Sequence, residues 1–541
     1  MGWRKVDGQI AIEDEPEPAP LKKGQKFATG LVIIEPDERV WLVSPTNQFG
    51  GYANTFPKGK VEKDQKSCFQ SNAIQEAWEE TGIKARIVGY LGDVDRSTTR
   101  TRYYLAVRES GTPAEMGWES QAVHLVPLKA ARDFLDSEYD HQVVDLVERF
   151  LARHDGRIPD PWTTIAQRFV TNVTRQETPG KDAYVGCLLG GAVGDALGAP
   201  VEFMRRDEIY RRFGPNGITD YAPAYGGLGR ITDDTQLTLF TAEGLLRTYV
   251  RGQMRGMASH EDVMANAYRR WLLTQGFTEE ERGFTMLDYP GWLYTHRALH
   301  SRRAPGNTCI EALRQGTHLG NPTRNDSKGC GAVMRMAPVG LCLARQKYDG
   351  FSKSFEWGID FAALTHGHPT AQIAAGAFAA LIYLLARGNT LPEALAKTKT
   401  KLIEHPNHGE TLAALEKAQR LAMSDIEPDR AIASLGEGWV AEEVLAIAVY
   451  CALVAKNFEH GVLLAVNHDG DSDSTGSITG NLLGLMYGVQ AIPDRWLAPL
   501  ELRDVITEIA EDLYDYESWP IGEYVPWTPE GIYLFAKYPG N

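Results

Sequence analysis

The chain has 541 residues, a formal net charge of −15 and 43% hydrophobic residues. That length exceeds what one hydrophobic core usually supports and predicts two folded units. The acidic balance argues against general nucleic-acid or anionic-membrane binding and leaves room only for a local basic pocket. The sequence reads as lacking an apolar run of about 18 residues or a signal-peptide core, and its six cysteines show no CxxC spacing and fit reduced thiols. The expected location is the cytoplasm, with no membrane partner.

Residues 11–20, AIEDEPEPAP, read as a solvated acidic, proline-rich lead-in within a flexible segment over 1–24. Short β-rich runs at 28–34, 40–44 and 103–107 alternate with a helical segment and an apolar helix over 143–151, which predicts an α/β domain over 25–152. Within it, residues 54–83 read NTFPKGKVEKDQKSCFQSNAIQEAWEETGI. Glu76, Glu79 and Glu80 fall on one helix face, where like charges repel. A cation removes that cost, and the preceding Pro57-Lys58-Gly59-Lys60 loop offers ammonium and amide groups to phosphates; standing alone, such a face is usually just solvated. Further on, in DRSTTRTRYY, Arg96, Arg100 and Arg102 share one strand face at period two. A guanidinium row suits a polyphosphate, or serves as an exposed basic edge that discourages aggregation. Glu119, ahead of the strand-like run 122–126, is a candidate distal base.

The 54–83 segment resembles a Nudix box, the loop-helix-loop signature of hydrolases that cut nucleoside diphosphates linked to another moiety. The resemblance implies Glu76, Glu79 and Glu80 as ligands of one or more Mg²⁺ or Mn²⁺ ions, Glu79 and Glu80 as catalytic, and Lys58 as substrate-binding. Three departures stand out: Gln75 replaces the usual arginine, Gln65 replaces the earlier glutamate, and the intervening segment is two residues longer. The lengthened box and the PKGKVEKD opening look most like the diphosphoinositol polyphosphate and dinucleoside polyphosphate branch, which would use Arg96, Arg100 and Arg102 for substrate.

Residues 153–182 mix charge, proline and threonine and read as a linker. From 183 onward the periodicity is helical, as over 361–386 and 440–455. Two acidic clusters, ITDDT at 231–235 and GDSDST at 470–475, pack adjacent carboxylates beside hydroxyls. The economical reading is that they meet and ligate hard divalent cations through oxygen, as Mg²⁺ or Mn²⁺ prefers; the bland one is a pair of helix caps. Glycines at 186, 190, 194 and 198, and again at 476, 480, 484 and 488, line one face of each of two helices. Each costs about 1 kcal/mol in a helix interior, so close helix–helix approach is the expected return. Ser327-Lys328-Gly329-Cys330-Gly331 fits a loop whose amides approach a diphosphate, with Cys330 a packing residue rather than a nucleophile. His366 and His368 stand where a helix ends.

The runs GCLLGGAVGDALGAPVEF (186–203), GRITDDTQLTL (229–239), NDSKGCGAVMRMAPVGL (325–341), LTHGHPTA (364–371) and NHDGDSDSTGSITGNLLGLMYG (467–488) resemble the ADP-ribosylglycohydrolase family. That resemblance implies an all-α domain over 183–541 with two Mg²⁺ or Mn²⁺ ions. It also implies hydrolysis of a glycosidic bond at the ribose anomeric carbon of an ADP-ribosylated protein or small molecule. Carried over by position, Thr232, Asp233, Asp234, Asp471, Asp473 and Ser474 are the metal ligands and Glu202 is the catalytic acidic residue near the scissile bond. Ser327, Gly329, Cys330, Gly331 and His366 are expected at the substrate. The whole reads as a two-domain hydrolase, an α/β Nudix sandwich followed by an all-α domain. The Nudix part would split ADP-ribose or a related nucleoside diphosphate, or else act on a dinucleoside or inositol polyphosphate, or serve as a nucleotide sensor.

Overall fold

The switch from strand-forming to helix-forming sequence is matched by a division of the computed structural model into two compact units, residues 1–172 and 173–541. The structure describes residues 15–35, 38–46, 53–61, 69–111, 113, 120–154, 179–278, 290–315, 319–348 and 350–540. Gln65, Glu119 and most of the expected linker, 155–178, lie outside the described residues.

In the first unit, strands β1 (Lys26–Ile34), β2 (Arg39–Pro45), β3 (Lys58–Lys60), β4 (Ile83–Asp95), β5 (Thr99–Gly111) and β6 (Ser120–Pro127) form one mixed sheet. Its order is β4-β5-β1-β2-β6, with β3 added to β1. β1 and β5 run parallel, from Lys26↔Thr99 to Ile34↔Val107, and the other pairs are antiparallel. β1 is buried on both faces, which is why GLVII reads as a continuous apolar run rather than an alternation. Helix α1 (Phe69–Thr81) lays Phe69, Ala73 and Ala77 on Leu31, Ile33 and Tyr104 on one side. Helix α2 (Glu138–Arg153) lays Val143, Val147 and Phe150 on Val32, Ile34 and Leu105 on the other. The result is the expected α/β sandwich.

Two expectations for this unit are corrected. The lead-in is not solvated throughout, because Glu15 is fully buried and bonded to Arg102, Tyr104 and Gln70. Nor do the three arginines form one row. A tight turn, closed by Arg96 N–H donating to the Thr99 carbonyl, separates Arg96 from the strand. Arg96 therefore reaches Tyr103 and Asp140 on the α2 side, while Arg102 lies against Tyr90 and Phe69 on the α1 side.

The second unit is helical. Its helices used below are α3 (Lys181–Gly198), α4 (Asp233–Arg255), α5 (His260–Thr274), α6 (Phe351–Ala363), α7 (Pro369–Ala386), α8 (Ala441–Val454) and α9 (Ser472–Tyr487). The continuous helix expected over 361–386 is broken into α6 and α7: Pro369 cannot extend a helix from behind, and the His368 ring caps α7 by accepting from Thr370 N–H at 3.2 Å. Contrary to the sequence reading, α7 has the length and apolarity of a membrane span, with a mean hydropathy of 1.6 over 18 residues, but 89% of it is buried inside this unit as a core helix.

The glycine stripes face each other. A Cβ built on Gly194 would lie 2.0 Å from the Gly476 carbonyl oxygen, one on Gly190 2.3 Å from that of Gly480, and one on Gly186 2.4 Å from that of Gly484. Helices α3 and α9 thus run antiparallel with backbones in contact, a packing that any side chain on these faces would prevent. The contact brings the start of α9 beside the end of α3.

Candidate functional site

At that end of the α3–α9 pair the two acidic clusters come together. Asp233 and Asp234 open α4, and Asp471 and Asp473 open α9. The cap reading holds too: Thr232 Oγ1 accepts from Asp234 N–H at 3.3 Å, and Asp471 Oδ1 from Ser474 N–H at 3.2 Å. The positive ends of two helix dipoles therefore point at the carboxylates, which eases but does not neutralise their crowding. Thr232, Asp233, Asp234, Asp471, Asp473 and Ser474 are all buried. Glu202, just past α3, joins them: oxygens of Glu202, Asp471 and Asp473 lie within 4.8 Å of one another.

The electrostatics of this centre are those of a site built for cations. Burial, and then neighbouring carboxylates, push Asp234 and Asp473 well above the usual carboxylate range, and burial followed by Asp195 does the same to Asp233. Glu202 rises to about 9, through burial first and then Asp471 and Asp233. Moreover, Glu202 Oε2 and Asp234 Oδ2 are buried with no hydrogen-bond partner among the described residues. Oxygens left bare in a crowd of acids are what a hard cation satisfies, so this donor set of carboxylates and hydroxyls fits Mg²⁺ or Mn²⁺.

Asp195, on α3, escaped the sequence reading. It is fully buried and accepts from Thr232 N–H (3.0 Å), Thr235 N–H (3.2 Å) and Thr235 Oγ1 (2.5 Å), which fixes the chain carrying the first cluster. A signal existed: it is the sole charged residue in the stretch 183–198. Burial lifts its carboxyl to about 6 against those hydrogen bonds. Also unforeseen are Gly306 N–H, 3.4 Å from Asp233 Oδ2, and the exposed Phe203 ring stacked on Trp439 at 5.9 Å beside Glu202.

The loop at 327–331 borders the acids. The Cys330 thiol hydrogen-bonds toward Asp471, and burial followed by that carboxylate raises it well above a normal thiol, so it is held protonated. The amides are less available to a ligand than expected. Cys330 N–H donates to the Trp439 carbonyl, Gly329 N–H faces Ser327 Oγ at 3.4 Å, and Lys328 is paired with Glu410 and Glu442. His366 lies beneath the loop, where a Cβ on Gly331 would come within 3.3 Å of its ring. Burial and Arg335 drive it down to about 3, so it is a neutral imidazole. A cavity of about 610 Å³ opens at the opposite end of α3, lined by Lys181, Asp182 and Arg503, and holds none of these groups.

In the first unit two of the three box glutamates, Glu76 and Glu80, face β3. Glu80 Oε2 accepts from Lys58 N–H at 2.8 Å, and a Cβ on Gly59 would collide with the Glu76 carboxylate at 1.8 Å. Glu79 is bonded to Gln75 at 2.9 Å, so the residue replacing the box arginine still holds a glutamate in place. Burial lowers the Lys58 ammonium to about 8, against the pull of Asp140 and Glu80. Arg96 is paired with Asp140, Arg100 with Asp95, and Arg102 with both Asp93 and Glu15. The arginines are thus engaged by the chain itself.

With this geometry in view, comparison with known proteins is informative. The sequence model of the ADP-ribosylglycohydrolase family matches residues 176–521, and that of the NUDIX domain matches residues 24–147. An uncharacterized protein of Archaeoglobus fulgidus is 29% identical over 62% of this chain and 97% of its own. The ADP-ribosyl-[dinitrogen reductase] glycohydrolase of Rhodospirillum rubrum is 28% identical over 60% of this chain and 91% of its own. The ADP-ribosylarginine hydrolase Tri1 of Pseudomonas putida is 25% identical over 68% and 93%.

Proposed function

The chain belongs to the ADP-ribosylglycohydrolase family and is a hydrolase with a Nudix domain ahead of the family domain; from that premise we propose that it removes ADP-ribose from an acceptor at the buried acidic centre. The observation that carries this reading is the crowd of buried carboxylates with two oxygens left unpartnered. Thr232, Asp233, Asp234, Asp471, Asp473 and Ser474 would hold two Mg²⁺ or Mn²⁺ ions. Bound there, the ions supply Lewis-acid polarisation of water and of the ribose hydroxyls. Glu202, in the same cluster, presents a carboxylate to the positive charge that develops on the sugar ring as the glycosidic bond breaks. Asp195 keeps the first cluster in register through the amides of Thr232 and Thr235. The name of the Tri1 relative favours an ADP-ribosylated arginine as acceptor, and the cytoplasm is the compartment we assign.

The Nudix domain then splits freed ADP-ribose at its pyrophosphate, with Glu76, Glu79 and Glu80 holding one or more of the same ions and Glu79 and Glu80 serving catalysis. Internal pairing of Arg96 with Asp140 and of Arg100 with Asp95 is the reason for preferring ADP-ribose to a longer polyphosphate. Incubating the full chain with ADP-ribosylarginine and Mg²⁺ or Mn²⁺ tests both steps: ADP-ribose should appear first, then AMP and ribose 5-phosphate. Intact substrate with either ion would reject the first step, and ADP-ribose that persists would reject the second.

A further inference from the structure

Three donors converge on one carboxylate in the first unit. Arg102 Nη1 and Tyr104 Oη donate to Glu15 Oε1 at 2.8 and 2.7 Å, and Gln70 Nε2 donates to Glu15 Oε2 at 2.6 Å. The donors come from β5 and α1, rigid elements of the sandwich. The acceptor does not: Glu15 belongs to the acidic lead-in, which is laid along the sheet by the Pro16, Ala19 and Pro20 carbonyls, bonded to Arg102 and Arg100. Arg102 keeps a second, permanent partner in Asp93 on the neighbouring strand, at 2.7 and 3.0 Å. Loss of Glu15 would therefore remove one carboxylate partner from the guanidinium and leave it aimed by Asp93, by the Tyr90 ring 4.9 Å away and by Phe69 at 5.9 Å.

The position of this receptor gives it a use. Gly59, Thr29 and Arg102 are register partners across β3, β1 and β5, so Gly59 and Arg102 stand two strand spacings apart, about 10 Å. They face the same side: a Cβ on Gly59 meets Glu76, Thr29 accepts from Asn72 of α1 at 2.8 Å, and Arg102 shares Glu15 with Gln70 of α1. The receptor thus lies on the sheet face that carries the box glutamates.

We propose that Arg102, Tyr104 and Gln70 form a receptor for a phosphoryl oxyanion, and that Glu15 fills it as an internal surrogate that must leave before a phosphorylated ligand enters. A carboxylate and a phosphoryl group both offer two oxygens to a planar guanidinium and a hydroxyl, which is why one can stand in for the other. Residues 15–20 then act as a plug on the Nudix domain. The proposal rests on reading that domain as one that binds phosphate esters, and pyrophosphate cleavage measured separately keeps the failure of that reading distinct from failure of the plug.

The test uses the full chain, freed of divalent cations, with ADP-ribose and inorganic phosphate as probes. Calorimetric titration of Glu15→Gln should give a dissociation constant for ADP-ribose at least tenfold lower than wild type, while Glu17→Gln, in the exposed part of the same segment, leaves it unchanged. Tightening toward ADP-ribose alone identifies a substrate-borne phosphoryl group; tightening toward both probes identifies free phosphate as a competent ligand. A second measurement needs no variant: carbodiimide labelling of wild-type carboxyls, read by mass spectrometry, should modify Glu15 only when a probe saturates the protein. Equal affinities of Glu15→Gln and wild type for both probes, or Glu15 unlabelled at saturation, would overturn the plug.

Discussion

In the C-terminal unit, carboxylates share a buried centre where their strongest charged neighbours are one another. In the N-terminal unit, each arginine of the marked segment ends on a carboxylate of its own chain. The first arrangement is unstable as it stands and is resolved by adding something; the second is resolved already. Crowded like charge with bare oxygens therefore says more about an outside ligand than a row of opposite charge does, because the chain can neutralise a row by itself. Glu15 shows the refinement: neutralisation by a fixed strand, as with Asp93, is structure, whereas neutralisation by a lead-in can be exchanged.

The comparison is broken most directly at the acids. Asp233→Ala or Asp471→Ala should abolish release of ADP-ribose and also the rise in melting temperature that Mg²⁺ or Mn²⁺ produces in wild type. Without metal, Asp233→Ala should melt no lower than wild type because it relieves repulsion, whereas Asp471→Ala also removes the cap on Ser474 N–H and should give back part of that gain. A variant that keeps both turnover and the metal-induced shift would remove these residues from the site. In the other unit, Glu80→Gln should stop pyrophosphate cleavage and leave ADP-ribose release intact, so that an ADP-ribosylated substrate accumulates ADP-ribose. Loss of both activities in that variant would mean the two units do not act independently.

Packing supplies a smaller effect. Gly194→Ala drives a Cβ to 2.0 Å from the Gly476 carbonyl and should cost about 1–3 kcal/mol, with weaker metal binding because α9 carries Asp471 and Asp473 at its start. Gly252→Ala, in α4 with open space around its Cβ, should instead gain roughly 0.5–1 kcal/mol. Equal melting temperatures for the two variants would deny the glycine stripes their role.

Much of this was legible in the sequence for a physical reason. The glycine stripes repeat at helical spacing, and the acid clusters sit where helices start, so local pattern and tertiary role coincide. Legibility failed where a partner lies far along the chain. Glu15 is 87 residues from Arg102, and the Cys330 amide is claimed by Trp439, 109 positions on; neither pairing leaves a local trace. Arg96 failed differently. Counting by twos assumes an unbroken extended chain, and the turn at Ser97–Thr98 resets the parity, which sends it to the opposite face. Asp195 was overlooked because a helix so apolar reads as pure core.

The mildest test follows the protons of the acidic centre without any substrate. Glu202 has its carboxyl raised from an ordinary 4.5 to about 9 in the folded, metal-free chain. An acid whose folded pKa is raised binds its proton more tightly when folded, so the stability this gives is complete below about 4.5 and is lost as pH rises toward 9. Glu202→Gln keeps the shape of the protonated acid and cannot ionise. In chelator-treated protein, wild type and Glu202→Gln should therefore melt close together at acid pH and separate as the solution becomes alkaline, with the variant the more stable. Asp195, raised to about 6, is common to both proteins, so the difference curve reports Glu202 together with the relief that its neutral variant gives Asp473. Saturating Mg²⁺ should erase or reverse the gap, because a cation favours the ionised carboxylate and its binding strengthens as protons leave. Parallel melting curves across that range, with and without the ion, would mean that Glu202 is not part of the cation centre, and the contrast between an unresolved acidic site and a self-neutralised basic one would have to rest on the aspartates alone.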